Sequence, residues 1–165
     1  MQCFLLRHAP AVARGTPGYP KDSSRPLTPE GRKRMRRIAA GMKALEPAFD
    51  LILTSPYVRA RETAEIVAEV YKMPDPLRTS QYLKPGGDGE ALVQEMIEHR
   101  RQSILLVGHE PDLSRLISVL VTGDTGLGLA LKKGGLCKLE LPSPHYGRCG
   151  TMEWLLPPRL LVQLG

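Results

Sequence analysis

Three short apolar runs, each ending in a polar pair, constrain this chain more than any other feature. Cys3-Phe4-Leu5-Leu6 runs into Arg7-His8, Leu51-Ile52-Leu53 into Thr54-Ser55, and Ile104-Leu105-Leu106-Val107 into Gly108-His109. Runs this short and this continuously apolar read as strands buried on both faces. A helix start follows each of them. Thr28 is an N-cap residue, Pro29 suits the first helical position, and Glu30 favours the positive helix end. Ile38, Met42 and Leu45 continue the apolar side of that helix and Pro47 ends it. Ser55-Pro56 opens a second helix by the same cap-then-proline logic, with Ala60, Ala64, Val67 and Ala68 at helical spacing. Ala91 to Arg101 is helical, and Pro111 opens a helix through Leu116 and Leu120. Met73 to Glu90 is irregular, with room for one short strand. Two further strands are expected, around Leu136–Leu141 and Thr151–Leu155, joined by a Pro/Gly-rich turn. Alternating strands and helices predict an α/β fold with a mainly parallel sheet, and 165 residues suit one domain, 1–165.

Ligands of such sheets bind outside the carboxyl ends of the strands. A parallel sheet sends Arg7-His8, Thr54-Ser55 and Gly108-His109 to one rim, with Arg59 one turn into the following helix. Two imidazoles and two arginines beside helix N-termini make an anion site. Arg25 sits just before the first helix, at the end of a long loop (residues 9–26) that can bring it to the same rim. Arginine grips phosphate oxygens with a planar fork, and histidine serves as nucleophile or proton carrier. Taken singly, His8 and Gly108-His109 also read as turn residues, and Arg7 and Arg59 as solvated charges. Two histidines raise the possibility of zinc, but zinc takes three or four Cys, His, Asp or Glu ligands, and arginines repel a cation. No metal is expected. GxxxxGK[ST] and GxSxG are both absent, which excludes a P-loop and a serine-hydrolase elbow.

The net charge of +6 favours acidic partners. The densest basic cluster, Gly31 to Arg37 (GRKRMRR), falls at a helix start and reads as a solvated face. Aromatic content of 5% offers no stacking platform, so no nucleic acid is expected. The three cysteines lack metal-ligand spacing and read as reduced thiols of a cytoplasmic protein. No secretory leader or membrane span is evident, and a monomer is expected.

Four segments, in order, carry a resemblance. Leu6-Arg7-His8-Ala9 resembles the Arg-His-Gly signature of the histidine phosphatase superfamily, which includes phosphoglycerate mutases, with Ala9 in place of glycine. Arg25-Pro26-Leu27-Thr28-Pro29-Glu30-Gly31 resembles its R-x-L-T-x-x-G segment. Ser55-Pro56-Tyr57-Val58-Arg59-Ala60-Arg61-Glu62-Thr63-Ala64 resembles S-x-x-x-R-A-x-x-T-A, and Gly108-His109-Glu110-Pro111 resembles GH-x-P. The short chain and the segment Tyr82 to Asp88 resemble the SixA-type phosphohistidine phosphatases, small bacterial members that act on histidine phosphotransfer domains.

The resemblance implies a three-layer α/β/α sandwich, phosphoglycerate mutase-like, acting without a cofactor. It implies His8 as nucleophile through a transient phosphohistidine. Arg7, Arg25 and Arg59 would hold the phosphoryl oxygens, and His109 would bind the phosphoryl group and stabilise its charge. For the general acid, Asp88 ranks ahead of Glu110, with Glu90 also nearby. Asp88 equally stands where it would cap the helix beginning near Gly89, and an imidazole leaving group needs no strong acid. The substrate implied is a phosphorylated protein, with a small phosphate ester or phosphoserine/threonine as the alternative. A phosphate-binding module without turnover is the reading from a different class.

Overall fold

The computed structural model describes residues 1–46, 48–74 and 77–165. Among these, six strands form one sheet: β1 (Gln2–Arg7), β2 (Leu51–Thr54), β3 (Leu77–Thr79), β4 (Ser103–Gly108), β5 (Leu136–Glu140) and β6 (Thr151–Leu156). Their order is β3-β2-β4-β1-β5-β6. The first four run parallel, while β5 is antiparallel to both β1 and β6. The three apolar runs become β1, β2 and β4 side by side at the centre, where helices cover both faces and an uninterrupted apolar strand is stable. β6, at the edge, is more exposed.

Among the described residues, five α-helices complete the fold: α1 (Pro29–Leu45), α2 (Val58–Tyr71), α3 (Gly89–Glu98), α4 (Asp112–Thr122) and α5 (Pro158–Leu164). The period-two alternation of a strand sorts the core into two halves. Phe4 and Leu6 of β1 pack with Met35, Ile38 and Met42 of α1, Ala64 and Val67 of α2, and Leu161 of α5. Cys3 and Leu5 pack on the opposite face with Leu92, Val93 and Met96 of α3 and Leu113, Leu116 and Ile117 of α4. The result is an α/β/α sandwich. Each fully buried Leu, Ile, Phe or Met contributes roughly 1.5–3 kcal/mol.

Thr28 caps α1 as its sequence indicates: Gly31 N donates to Thr28 Oγ1 at 2.9 Å, with Pro29 following the cap. Leu45 departs from its expected place on the apolar face and is exposed, since the buried stripe ends at Met42. Pro47, read as the helix end, and Asp75 and Pro76 of the irregular segment lie outside the described residues. Ser55-Pro56 does not cap α2. The helix starts at Val58 with Tyr57 as its cap, and Ser55 Oγ accepts from Tyr57 N at 3.2 Å in a turn ahead of it. Of the cysteines, Cys3 and Cys137 are buried, unpaired thiols, and burial raises both, Cys137 to about 12.

The connections after β1 and β4 decide where the site lies. These strands are neighbours, but β1 leads to α1 on one face and β4 leads to α4 on the other. A crevice opens at their carboxyl ends, the switch point at which sheets of this kind bind ligands. His8 follows β1 there, and His109 follows β4.

Candidate active site

Strand register brings the histidines together. Arg7 is paired with Gly108 across β1 and β4, and His8 N donates to Gly108 O at 3.1 Å. The two imidazoles lie with ring centroids 5.1 Å apart. Both are buried, His8 at 6% and His109 at 3% exposure.

Hydrogen bonding fixes how the His8 ring is used. Its Nδ1 lies 2.7 Å from Ala9 O, and a carbonyl oxygen only accepts, so Nδ1 carries the proton. The lone pair is therefore on Nε2, which accepts from Arg59 Nε at 3.2 Å. The Ala9 position is stitched to α2, because Ala9 N donates to Thr63 Oγ1 at 3.1 Å and Thr63 Oγ1 donates to Arg59 O at 2.7 Å. Ala9 has no positive φ, so alanine serves where the family signature has glycine.

Burial lowers the His8 imidazole to about 4, against the hydrogen bond to Ala9, with Arg59, Arg7 and Lys133 lowering it further. Burial also lowers His109, to about 3, together with Arg59 and His8. Both rings are neutral at neutral pH, and His8 Nε2 is a free base. His109 Nε2 is 2.8 Å from Ser55 Oγ, while its Nδ1 is buried without a partner among the described residues.

The rim forms a cavity of about 210 Å³ lined by Arg7, His8, Arg14, Arg25, Arg59, Pro85, His109, Glu110 and Lys133. All three arginines of the sequence reading are there. Arg7 Nη1 donates to Leu131 O at 3.0 Å, and its Nε is buried without a partner among the described residues. Arg59 stacks over the Tyr57 ring at 5.1 Å and is nearly inaccessible to water.

Asp22 organises these cations and was not anticipated. Its carboxylate accepts from Arg25 Nε and Nη2 at 3.0 and 2.7 Å, from Arg59 Nη2 at 3.0 Å, and from Arg14 Nε at 3.0 Å. Its carbonyl oxygen accepts from Arg59 Nη1 at 2.7 Å. Burial works to raise the Asp22 carboxyl, but the Arg25 hydrogen bond and the Arg59 charge outweigh it and hold the group at about 2. One signal existed in the sequence: Asp22 is the sole acid of the 9–26 loop, lying between Arg14 and Arg25. Lys133 was also missed. It belongs to a turn, with Gly134 at φ +77°, that folds over the end of β1 through Gly134 N to Arg7 O at 3.0 Å. Burial and the charges of Arg7, Arg25 and Arg59 lower its ammonium.

The acid candidates separate. Asp88 does not line the cavity; it is exposed and caps α3, with Oδ1 accepting from Glu90 N at 2.9 Å and Ala91 N at 3.1 Å. Its short side chain is spent on the helix end, which corrects its first rank. Glu90 lies exposed in the first turn of α3. Glu110 does line the cavity, its carboxylate accepting from Ser114 N at 3.1 Å and from Ser114 Oγ. Among the described residues no cluster of three or more His, Cys, Asp or Glu forms a metal site, and no helix is long and apolar enough to cross a membrane.

A cationic cavity with a neutral, oriented imidazole at its base suits binding of a tetrahedral anion and attack on it. Comparison with known proteins agrees. Residues 3–84 match the histidine phosphatase superfamily (branch 1). An uncharacterized protein of Picosynechococcus sp. is 37% identical over 143 residues, 85% of either chain. The phosphohistidine phosphatase SixA of Escherichia coli K12 is 30% identical over 128 residues, 76% of this chain and 77% of that one. The structure of the protein histidine phosphatase SixA complexed with tungstate matches with a TM-score of 0.81 at 28% identity, covering 98% of this chain and 99% of that one. At 19% identity the alpha-ribazole phosphatase of Shigella flexneri shares the fold, with a TM-score of 0.73 over 96% of this chain and 97% of that one. Motifs, fold, geometry and relatives lead to one statement: the chain belongs to the histidine phosphatase superfamily.

Proposed function

We propose that this phosphatase hydrolyses phosphohistidine on a protein, such as a histidine phosphotransfer domain, through a phosphohistidine formed on His8. The observation that carries the reading is the His8 ring, whose Nε2 lone pair faces Arg59 inside a cavity of five cations. In the first step Nε2 attacks phosphorus, the P–N bond to the substrate imidazole breaks, and the imidazole, protonated beforehand on its other nitrogen, leaves neutral. In the second, water attacks phosphorus, the P–Nε2 bond breaks, and its electron pair returns to His8. The water proton passes to Glu110, the carboxylate that lines the cavity. Arg7, Arg25, Arg59 and His109 hold the phosphoryl oxygens throughout, and such preorganised charge supplies most of the catalysis of phosphoryl transfer.

The SixA relatives support a protein phosphohistidine substrate. A second reading has its own support: a cavity of about 200 Å³ shares His109 with the phosphoryl site and is lined by Tyr82, Leu92, Leu113 and Tyr146. That space would admit a small organic leaving group. The test is phosphate release from a phosphohistidine-bearing phosphotransfer domain beside a panel of sugar, nucleotide and phosphoserine esters. Release from the protein that His8→Ala abolishes supports the first reading. Turnover of esters alone would establish the second.

A further inference from the structure

The basic residues of α1 divide into two flanks. On the α2 side, Arg32 pairs with Glu62 at 2.6 Å and Arg36 with Glu69 at 3.9 Å. On the α5 side, Lys33, Arg34 and Arg37 are exposed and meet no acid from the neighbouring helix. No Asp or Glu occurs from Trp154 to Gly165, and α5 contributes Arg159 instead. The side chains of Lys33, Arg34 and Arg159 have neither an ion pair nor a hydrogen bond among the described residues. Arg37 donates to Val162 O at 3.4 Å. Together these four cations line a groove of about 500 Å³ with Val162, Gln163 and one acid, Glu30.

The groove and the His8 cavity share no lining residue, but one turn links their surroundings. A Cβ built on Gly134 would lie 2.7 Å from Ile38 Cδ1 and 3.6 Å from Pro158 Cβ. The turn that places Lys133 in the active-site cavity therefore abuts the immediate neighbours of Arg37 and Arg159. Lys133 lines the cavity from that turn, and Arg159 of the groove follows Pro158, which the turn approaches. Four cations that share one acid, Glu30, repel one another at a cost in stability unless an external anion meets them. The groove lining holds no aromatic residue, so it offers stacked bases nothing, which favours an acidic protein over nucleic acid.

We infer that the groove between α1 and α5 is the docking surface for the acidic face of the phosphoprotein whose phosphohistidine enters the His8 cavity. The inference rests on the phosphoprotein reading above. Complementary charge at such a rim acts mainly on encounter, hence on KM more than on kcat.

The test compares the full chain with a triple variant, Lys33→Gln, Arg34→Gln and Arg159→Gln, which neutralises three charges with a good helix former. Arg36→Gln, on the paired flank, is the control. The substrates are an acidic phosphotransfer domain phosphorylated on histidine, and the phosphoramidate ion. The triple variant should raise KM for the phosphoprotein about tenfold at low salt, the lower end of what electrostatic steering supplies, with kcat unchanged. The difference should vanish near 1 M salt, where the screening length falls to about 3 Å. Phosphoramidate kinetics and the Arg36→Gln enzyme should not change. An unmoved phosphoprotein KM overturns the inference, as does an equal loss on phosphoramidate. So does a groove-dependent affinity for single-stranded RNA oligonucleotides with the phosphoprotein KM unmoved. Wild-type inactivity on the phosphoprotein, with phosphoramidate still turned over, overturns the underlying reading and the inference with it.

Discussion

Titrating the histidines tests how the site prepares His8 for the nucleophilic role proposed for it. The imidazole of His8 is lowered from an ordinary 6.5 to about 4, first by burial and then by Arg59, Arg7 and Lys133. At 1.36 kcal/mol per pH unit, placing a proton on His8 in the folded site costs about 3 kcal/mol more than in water. At pH 5 about nine-tenths of His8 is then neutral, against about three per cent for an unperturbed imidazole. The assay is a pH titration of the imidazole ring signals by nuclear magnetic resonance. The chain has four histidines, so single substitutions assign them. Reading the rings directly avoids the titration of the substrate itself. A folded pKa below the unfolded value means that the unfolded chain binds more protons, so stability is present above about pH 6.5 and is lost as pH falls toward 4 and 3. Thermal unfolding across that window should follow the same course. A His8 signal that titrates near 6.5 would refute the reasoning, because the ring would then be half protonated just below neutrality.

Three further outcomes follow from the same geometry. Arg59→Met removes the guanidinium that faces both His8 and Asp22, and kcat should fall about 10²–10³-fold in steady-state assays; a loss under tenfold would deny Arg59 the phosphoryl contact proposed for it. Gly31→Ala puts a Cβ 2.1 Å from Pro10 O, which cannot yield without moving the chain beside His8, so unfolding should come several degrees lower at a cost of about 1–3 kcal/mol. An unchanged Tm would show that the loop moves freely there. EDTA should leave turnover unchanged if, as proposed, the cavity grips its anion through guanidinium groups; a loss restored by added metal would contradict that account.

What was legible in the sequence was what local chemistry dictates. Phe4, Ile52 and Leu105 belong to runs too short for helices and too apolar for a surface, so central strands followed, and with them the common rim of His8 and His109. Thr28 with Pro29 fixed the start of α1 for an equally local reason. The misses depend on distant partners. Ser55 has the composition of a helix cap, yet its hydroxyl meets His109, 54 residues away. Asp22 holds Arg59 across 37 residues, which no window along the chain detects. Asp88 went the other way: the local role, a helix cap, is the one it fills, and the catalytic role required a cavity that Glu110 occupies. Lys133 enters the site from a turn ahead of the antiparallel strand β5, whereas the reading of strand ends followed the parallel strands alone.

The most direct measurement of the central claim is capture of the phosphoenzyme. The full chain is mixed with a phosphohistidine-bearing protein, quenched in alkali within one turnover, and digested for mass spectrometry. The account predicts one phosphoryl group on the peptide holding His8, stable in alkali, lost in acid and absent from His8→Ala. Phosphate found on Ser55 or another residue, or an unlabelled chain that still turns over substrate after His8→Ala, would contradict it.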